Sequence, residues 1–447
     1  MARVLADLTP LRRSPEFRRL WWGLGLANIG TMLTATAVGL QVYELTHSSL
    51  SVGLLGAVGL VPVIVLGLYG GSLADRHDRR RVALVASVVM WAATLGIVAQ
   101  AWADLRQVWL LYALVAVQAG ASAINGPARS AIIPRLVSLD LMPAATALNM
   151  MTATLASLAG PMVGASLVAL VGFWHTYVID AVTFTFALYA ILRLPPIPPL
   201  AASAVGGVTA GPVGWIASVG GGVAGSLRLH TASVLEGVAF LRTRHNIQMT
   251  FLVDLSAMIL AYPTAAFPAA AAVILGGGQT TAGVLTSAIA VGALLAAVLS
   301  GSYIRVRRQG WAVVLAVTAW GAGVAGCGAV WLMAGRTSPT HLIVPALVGS
   351  VLVLAFAGGA DAVSSTFRNT ILQVATPDDL RGRLQGVFLV VVTGGPRLGQ
   401  LVSGTLSSLF GEGSALVAGG LGCVVAVWLL ALWRRSFLAY DGRQPVA

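Results

Sequence analysis

Long apolar stretches broken by short polar ones fill this chain. Twelve runs stand out, at 20–44, 51–72, 82–103, 108–131, 143–170, 175–193, 247–275, 281–302, 311–334, 342–369, 384–410 and 415–433. A helix needs about 20 apolar residues to cross roughly 30 Å of hydrocarbon. In lipid the backbone must satisfy its own N–H and C=O groups, so each run is predicted to be a helix. The polar breaks at 73–81 and 303–310 are the sharpest. The weakest is VGFWH, 171–175, between the fifth and sixth runs. The pattern reads as an all-α integral membrane protein with twelve transmembrane helices.

Composition agrees. Of 447 residues, 57% are hydrophobic and 9% charged, with a mean hydropathy of +0.87. That is too little charge to coat a soluble protein of this length. The net charge of +12 raises the question of nucleic acid. The basic residues, all arginine, form no single patch, so no nucleic-acid partner is expected. With the N-terminus inside, the inner loops and tails hold most of them, and the outer loops hold only Arg106 and Arg336. This asymmetry predicts a multi-pass protein with both termini in the cytoplasm, and the complete absence of lysine points to a GC-rich bacterial genome and so to a bacterial inner membrane. No cleavable signal is visible, because the first apolar run is too long. The two cysteines, Cys327 and Cys423, fall inside spans and suggest neither a disulfide nor a metal framework.

The chain divides at 193–226, a stretch rich in Pro, Gly, Ala and Ser. The expected organisation is a cytoplasmic amphipathic segment, 1–19, a six-helix bundle, 20–193, a cytoplasmic linker, 194–245, a second bundle, 246–433, and a tail, 434–447. Within the linker, 227–245 has the spacing of an interfacial helix. Residues 9–22 read the same way, with Phe17, Leu20 and Trp21 dipping into the leaflet. The two halves repeat. Shifted by 239 positions, Ala121, Ala123, Arg129, Ile132, Asp140 and Leu141 recur as Ala360, Ala362, Arg368, Ile371, Asp379 and Leu380. Two parallel six-helix repeats are the build of the major facilitator superfamily.

YGGSLADRHDRRRV, 69–82, places Gly71, Leu73, Asp75, Arg76, Arg79 and Arg80 in the loop between spans two and three. This resembles the signature loop of that superfamily, G-x-L-a-D-R-x-G-R-[RK]. Asp78 stands where the family has a second glycine. A carboxylate is favoured beside a helix N-terminus by about 0.3–1 kcal/mol, up to ~2 when partly buried. TPDDLRGRLQG, 376–386, is such a start. The resemblance implies that Asp75 docks there when the inner side is closed, and that Arg79 pairs with an acid near the end of span four, for which Asp140 is the candidate. The alternative is a positive-inside anchor with incidental acids. AGPMVGA, 159–165, carries the Gly160, Pro161, Gly164 core found in the superfamily's antiporters at this place. It reads equally as close helix packing. LRRSPEFRRLWW, THSSLSVGL, GGSLADRHDRRRV and LQVATPDDLRGRLQGV together make most of the chain similar to the enterobactin exporter group, also described as transmembrane secretion effectors. That resemblance implies proton-driven export of a siderophore, drug or other amphiphilic small molecule, without a cofactor and by a monomer.

Charge inside a span costs about 2.5–3.5 kcal/mol at a helix centre on insertion scales, so each instance is a functional candidate. Asp180, Asp254 and Asp361 lie within spans and Glu44 at the outer end of span one. These four are the proton-coupling candidates. In the resembled architecture spans one, four, seven and ten line a central cavity. That favours Asp254, Asp361, Asn28, Gln118 and Asn125 as cavity groups, with Gln41 also in span one. Arg368 lies two turns beyond Asp361, so an ion pair closing the inner gate is an equal reading for the two. Arg129 and Arg368 are expected to tie down inner helix ends. Arg397, near the middle of span eleven, must pair or face water or an anionic substrate. A membrane enzyme is the rival class. It is disfavoured because the six histidines form no metal or catalytic spacing, and no phosphate-binding loop is present to use ATP. An importer on the same fold remains open.

Overall fold

The computed structural model describes residues 7–197, 244–303, 306–375 and 381–442. Among the described residues, twelve long helices follow one another: α1 Pro15–Thr46, α2 Ser49–Arg76, α3 Arg79–Trp102, α4 Val108–Leu136, α5 Met142–Val171 and α6 Phe173–Leu192. The second half has α7 His245–Leu260, α8 Gly278–Val298, α9 Gln309–Ala334, α10 Val344–Ala375, α11 Arg381–Phe410 and α12 Glu412–Trp433. Among the described residues, eleven candidate spans are long and apolar enough to cross a membrane. The remaining long helix, α11, has the length, 30 residues. It is more polar, carrying Arg397, Gln400 and a Ser/Thr-rich end.

The duplication is visible in the packing. α1 packs on α5 and α6, and α7 packs on α11 and α12. α4 packs on α2 and α3, and α10 packs on α8 and α9. Between halves, α2 lies against α11 and α5 against α8, which is one contact seen twice through a pseudo-two-fold axis. The doubtful break at 171–175 is resolved by one residue. Gly172, at φ 83°, turns α5 directly into α6. Gly411, at φ 83°, does the same between α11 and α12. A left-handed φ of this kind favours glycine over any L side chain. The two glycines are 239 positions apart, the shift that aligns the repeats.

The first span of each half differs. α1 is unbroken, whereas its counterpart stops at Leu260 and is interrupted through Pro263. It resumes as a 3-10 turn, Thr264–Ala266, a short α-segment, Phe267–Ala270, and a π-turn, Ala271–Leu275.

Three boundaries differ from expectation. The N-terminal segment is not one surface helix. Ser14 caps α1 by accepting from the Phe17 amide (3.1 Å), and Phe17 and Leu20 are buried in the bundle rather than in lipid. Phe17 packs with Val137, Ala145 and Leu148. Leu194 and Ile197, expected in the linker, are buried in the first bundle. The expected tail packs back as well, with Phe437 and Tyr440 in the core of the second half. In each case an apolar side chain recovers burial that the polar neighbours alone would not supply. The interfacial helix expected at 227–245 falls, except for its last two residues, outside the described residues.

Asp78 explains its own departure from the loop pattern. Its Oδ1 caps α3, accepting from the amides of Arg80 (2.9 Å) and Arg81 (3.3 Å), and also accepts from Ile197 N (3.3 Å). One carboxylate therefore caps a helix and pins the end of the bundle. Such caps contribute about 0.5–2 kcal/mol. Asp78→Ala should lower the thermal unfolding midpoint, and Asp78→Asn, which keeps an acceptor, should recover most of it. Equal midpoints for Ala and wild type would remove the cap.

Candidate functional site

α7 and α10 bring together the groups that matter most. Asp254 projects from α7, one turn beyond Thr250; Asp361 and Arg368 lie two turns apart on α10. The Arg368 guanidinium donates through Nη1 to Asp254 Oδ1 and through Nη2 to Asp361 Oδ1, the latter at 3.4 Å. Two carboxylates thus share one cation, and one negative charge is left over. The side chains of Arg368 and Asp254 are about nine-tenths buried, while that of Asp361 is 32% exposed. They line a cavity of about 340 Å³ with Thr250, Ser365 and Asn369, and with Met258 and Pro396 above them. Of the two sequence readings of Arg368, a tie at an inner helix end and an ion pair with Asp361, the pair is formed, and Asp254 joins it from α7. Thr250, Ser365 and Asn369 were missed, although Thr250 and Ser365 sit one turn from the two acids.

The polar groups of the first half do not converge. Gln41 Oε1 accepts from the Tyr177 hydroxyl (2.9 Å) and lies against Gln100. Asn125 donates to Ser87 Oγ (2.7 Å) and Gln118 to Thr94 Oγ1 (3.1 Å), both tying α4 to α3. Asp180 is fully buried and accepts from Thr34 Oγ1 (2.6 Å), tying α6 to α1. Glu44 accepts from Gln279 Nε2 (3.0 Å) across the two halves. Asn28 is partly exposed on α1.

In the signature loop, Arg79 donates to Ala131 O (3.1 Å) and Arg80 to Ile191 O (3.3 Å) and Leu192 O (2.6 Å). The expected Arg79–Asp140 pair is not formed, because a 3-10 turn, Leu139–Leu141, holds Asp140 exposed beside Arg13. Gly71, Asp75 and Arg76 lie on the last turns of α2. The helix start expected to receive Asp75, 376–380, lies outside the described residues.

Gly160 and Gly164 let α5 close on Met32 and Leu33 of α1, while Pro161 and Ala165 abut Gly283 of α8. The antiporter-like core is therefore a three-helix junction between the halves.

The described contacts between the halves gather toward the end away from the termini. Away from the termini, Gly53, Gly56 and Gly404 let α2 and α11 touch backbone to backbone, and Ser49 Oγ donates to Glu412 Oε1 (3.3 Å). Toward the termini, the hydrophobic clusters among the described residues each stay within one half.

The family model described as transmembrane secretion effector matches residues 5–437, nearly the whole chain. The chain belongs to the transmembrane secretion effector family. As a transmembrane secretion effector it has the fold of the major facilitator superfamily, and it is a transmembrane transporter. It is 26% identical over 448 residues to the enterobactin exporter EntS of Salmonella typhimurium strain LT2, covering 99% of this chain and 98% of that one. It is 26% identical over 453 residues to the enterobactin exporter EntS of Citrobacter koseri, covering 99% and 97%. In fold it is similar to the crystal structure of the POT family transporter PepTSo, with a TM-score of 0.72 at 13% identity, covering 96% of this chain and 99% of that chain.

Proposed function

We propose that this transporter exports an amphiphilic small molecule from the bacterial cytoplasm across the inner membrane in exchange for protons. The observation that carries the reading is the shared guanidinium, one cation held between two carboxylates on a cavity wall. A proton arriving through the cavity meets the more exposed Asp361 first. Neutralising one acid balances the cluster and leaves Arg368 to pair with the other alone. Proton uptake and release then change which helices, α7 and α10, are held together. Such a shift between two arrangements is what alternating access needs. The arginine asymmetry supports cytoplasmic termini, so the described seam between the halves lies toward the outer side of the membrane. The likeness to enterobactin exporters supports outward transport and a siderophore-like amphiphile as cargo.

Asp254→Asn and Asp361→Asn should each abolish uphill transport driven by an imposed pH gradient in proteoliposomes, while sparing counterflow at equal pH. If both variants still concentrate substrate against its gradient, proton coupling does not reside in this cluster. Substrate accumulating on the side expected for uptake would reverse the direction.

A further inference from the structure

Arg397 sits at the middle of α11, a helix about 45 Å long at 1.5 Å per residue. Its guanidinium crosses from the second half into the first. It occupies the place that a side chain on Gly59 of α2 would fill, close to Ala119 of α4. The ion pairs among the described residues all involve other arginines, and no described hydrogen bond uses its five donors. The residue is partly exposed. At this depth an uncompensated arginine is costly unless it faces water or a partner.

Polar groups and a cavity-lining residue stand next to it. Its neighbour Pro396 lines the cavity above Asp361. One turn farther, Gln400 Nε2 donates to Thr264 Oγ1 (3.4 Å). Thr264 opens the 3-10 turn just past the break in α7 at Ala261–Pro263. Interrupted helices at mid-membrane are where transporters of this build hold polar substrate groups. The arrangement has no acid of its own. A planar guanidinium is suited to a carboxylate or similar oxyanion, which it can bind with two parallel hydrogen bonds.

We infer that the transported amphiphile carries an acidic oxyanion group, and that Arg397 binds it where α11 faces α2 and α4, with Gln400 one turn away and Thr264 bonded to it. This rests on the transporter reading above and names its substrate class. The Asp254, Asp361 and Arg368 cluster then handles protons, and Arg397 handles cargo charge.

The test is equilibrium binding to the purified full-length protein in detergent. The probes are 2-naphthoate, its neutral amide, and 2-naphthylmethylamine. Naphthoate should bind the wild type at least tenfold more tightly than either analogue. Arg397→Gln should remove that preference, and Arg397→Lys, which keeps the charge but not the fork, should retain part of it. Glu16→Gln, an exposed acid near the N-terminus and far from the cavity, should leave it intact. The proposal is overturned if naphthoate shows no preference in the wild type, or if Arg397→Gln binds it as the wild type does. A normal circular dichroism spectrum and gel-filtration profile would confirm that each variant is folded. Binding at equilibrium needs no proton gradient. Loss of coupling in the aspartate variants with naphthoate binding retained therefore bears on the export reading alone. Loss of the naphthoate preference with coupled transport retained bears on Arg397 alone.

Discussion

Arg368→Gln should be the most damaging single substitution in the cavity wall. It leaves Asp254 and Asp361 facing each other without a cation, one of them about nine-tenths buried. Removing one partner of a buried pair costs about 3–5 kcal/mol, because a charge is stranded in low dielectric. The variant should unfold at a markedly lower temperature in detergent and accumulate poorly in membranes. Adding Asp254→Asn should restore most of the stability, since the stranded charge is gone. It should not restore coupled transport. A single variant as stable as the wild type would mean that the Arg368–Asp254 pair contributes nothing to folding. Failure of the second change to rescue would mean that Arg368 acts through packing.

A different outcome is expected at the seam between the halves. Gly56 faces the backbone carbonyl of Arg397, and any side chain there would collide with it. Overpacking of this kind costs about 1–3 kcal/mol. Here the cost falls on one conformation only, the one in which α2 and α11 close. At ~1.4 kcal/mol per factor of ten, that is a shift of roughly 5- to 150-fold in the balance between states. Gly56→Val should therefore fold normally, transport more than tenfold more slowly, and favour the state open away from the termini. Spin labels on Thr46→Cys and Gln279→Cys, on either side of that opening, should show a longer distance. Gly292→Val gives the contrast. It would strike the carbonyl of Ala355 inside the second half, so it should damage folding itself. An unchanged distance and normal turnover in Gly56→Val would mean that the seam yields without opening.

Much of the architecture was legible because hydrocarbon imposes it. A run such as 82–103 has few alternatives to a spanning helix. The repeats were legible in Arg129 and Arg368, yet the two differ in surroundings: Arg368 has two acids within reach, and Arg129 has no described ion pair. Cavity and packing roles were not separable for Gln41, Gln118 and Asn125. A polar residue on a span looks the same in sequence whether it faces water or a serine on the next helix. The partners Tyr177, Thr94 and Ser87 decide this, and they lie on other helices. The cluster was half legible. Both acids and the arginine were visible as costly charges, but Asp254 and Arg368 are 114 residues apart, and only the fold shows that they touch. The chain ends were misread because Phe17 and Phe437 sit among arginines that suggest a surface.

Gly172 and Gly411 leave no slack. With one residue between them, α5 and α6 cannot slide along each other, and neither can α11 and α12. Each pair has to travel as a stiff unit. Because α5 and α11 also form the contacts between the halves, any rocking is passed through these two hairpins at full amplitude. The compliance must lie in the longer connectors, 103–107 between α3 and α4 and 335–343 between α9 and α10. Lengthening those connectors should be tolerated, whereas inserting even one residue beside Gly172 or Gly411 would introduce play into the lever itself.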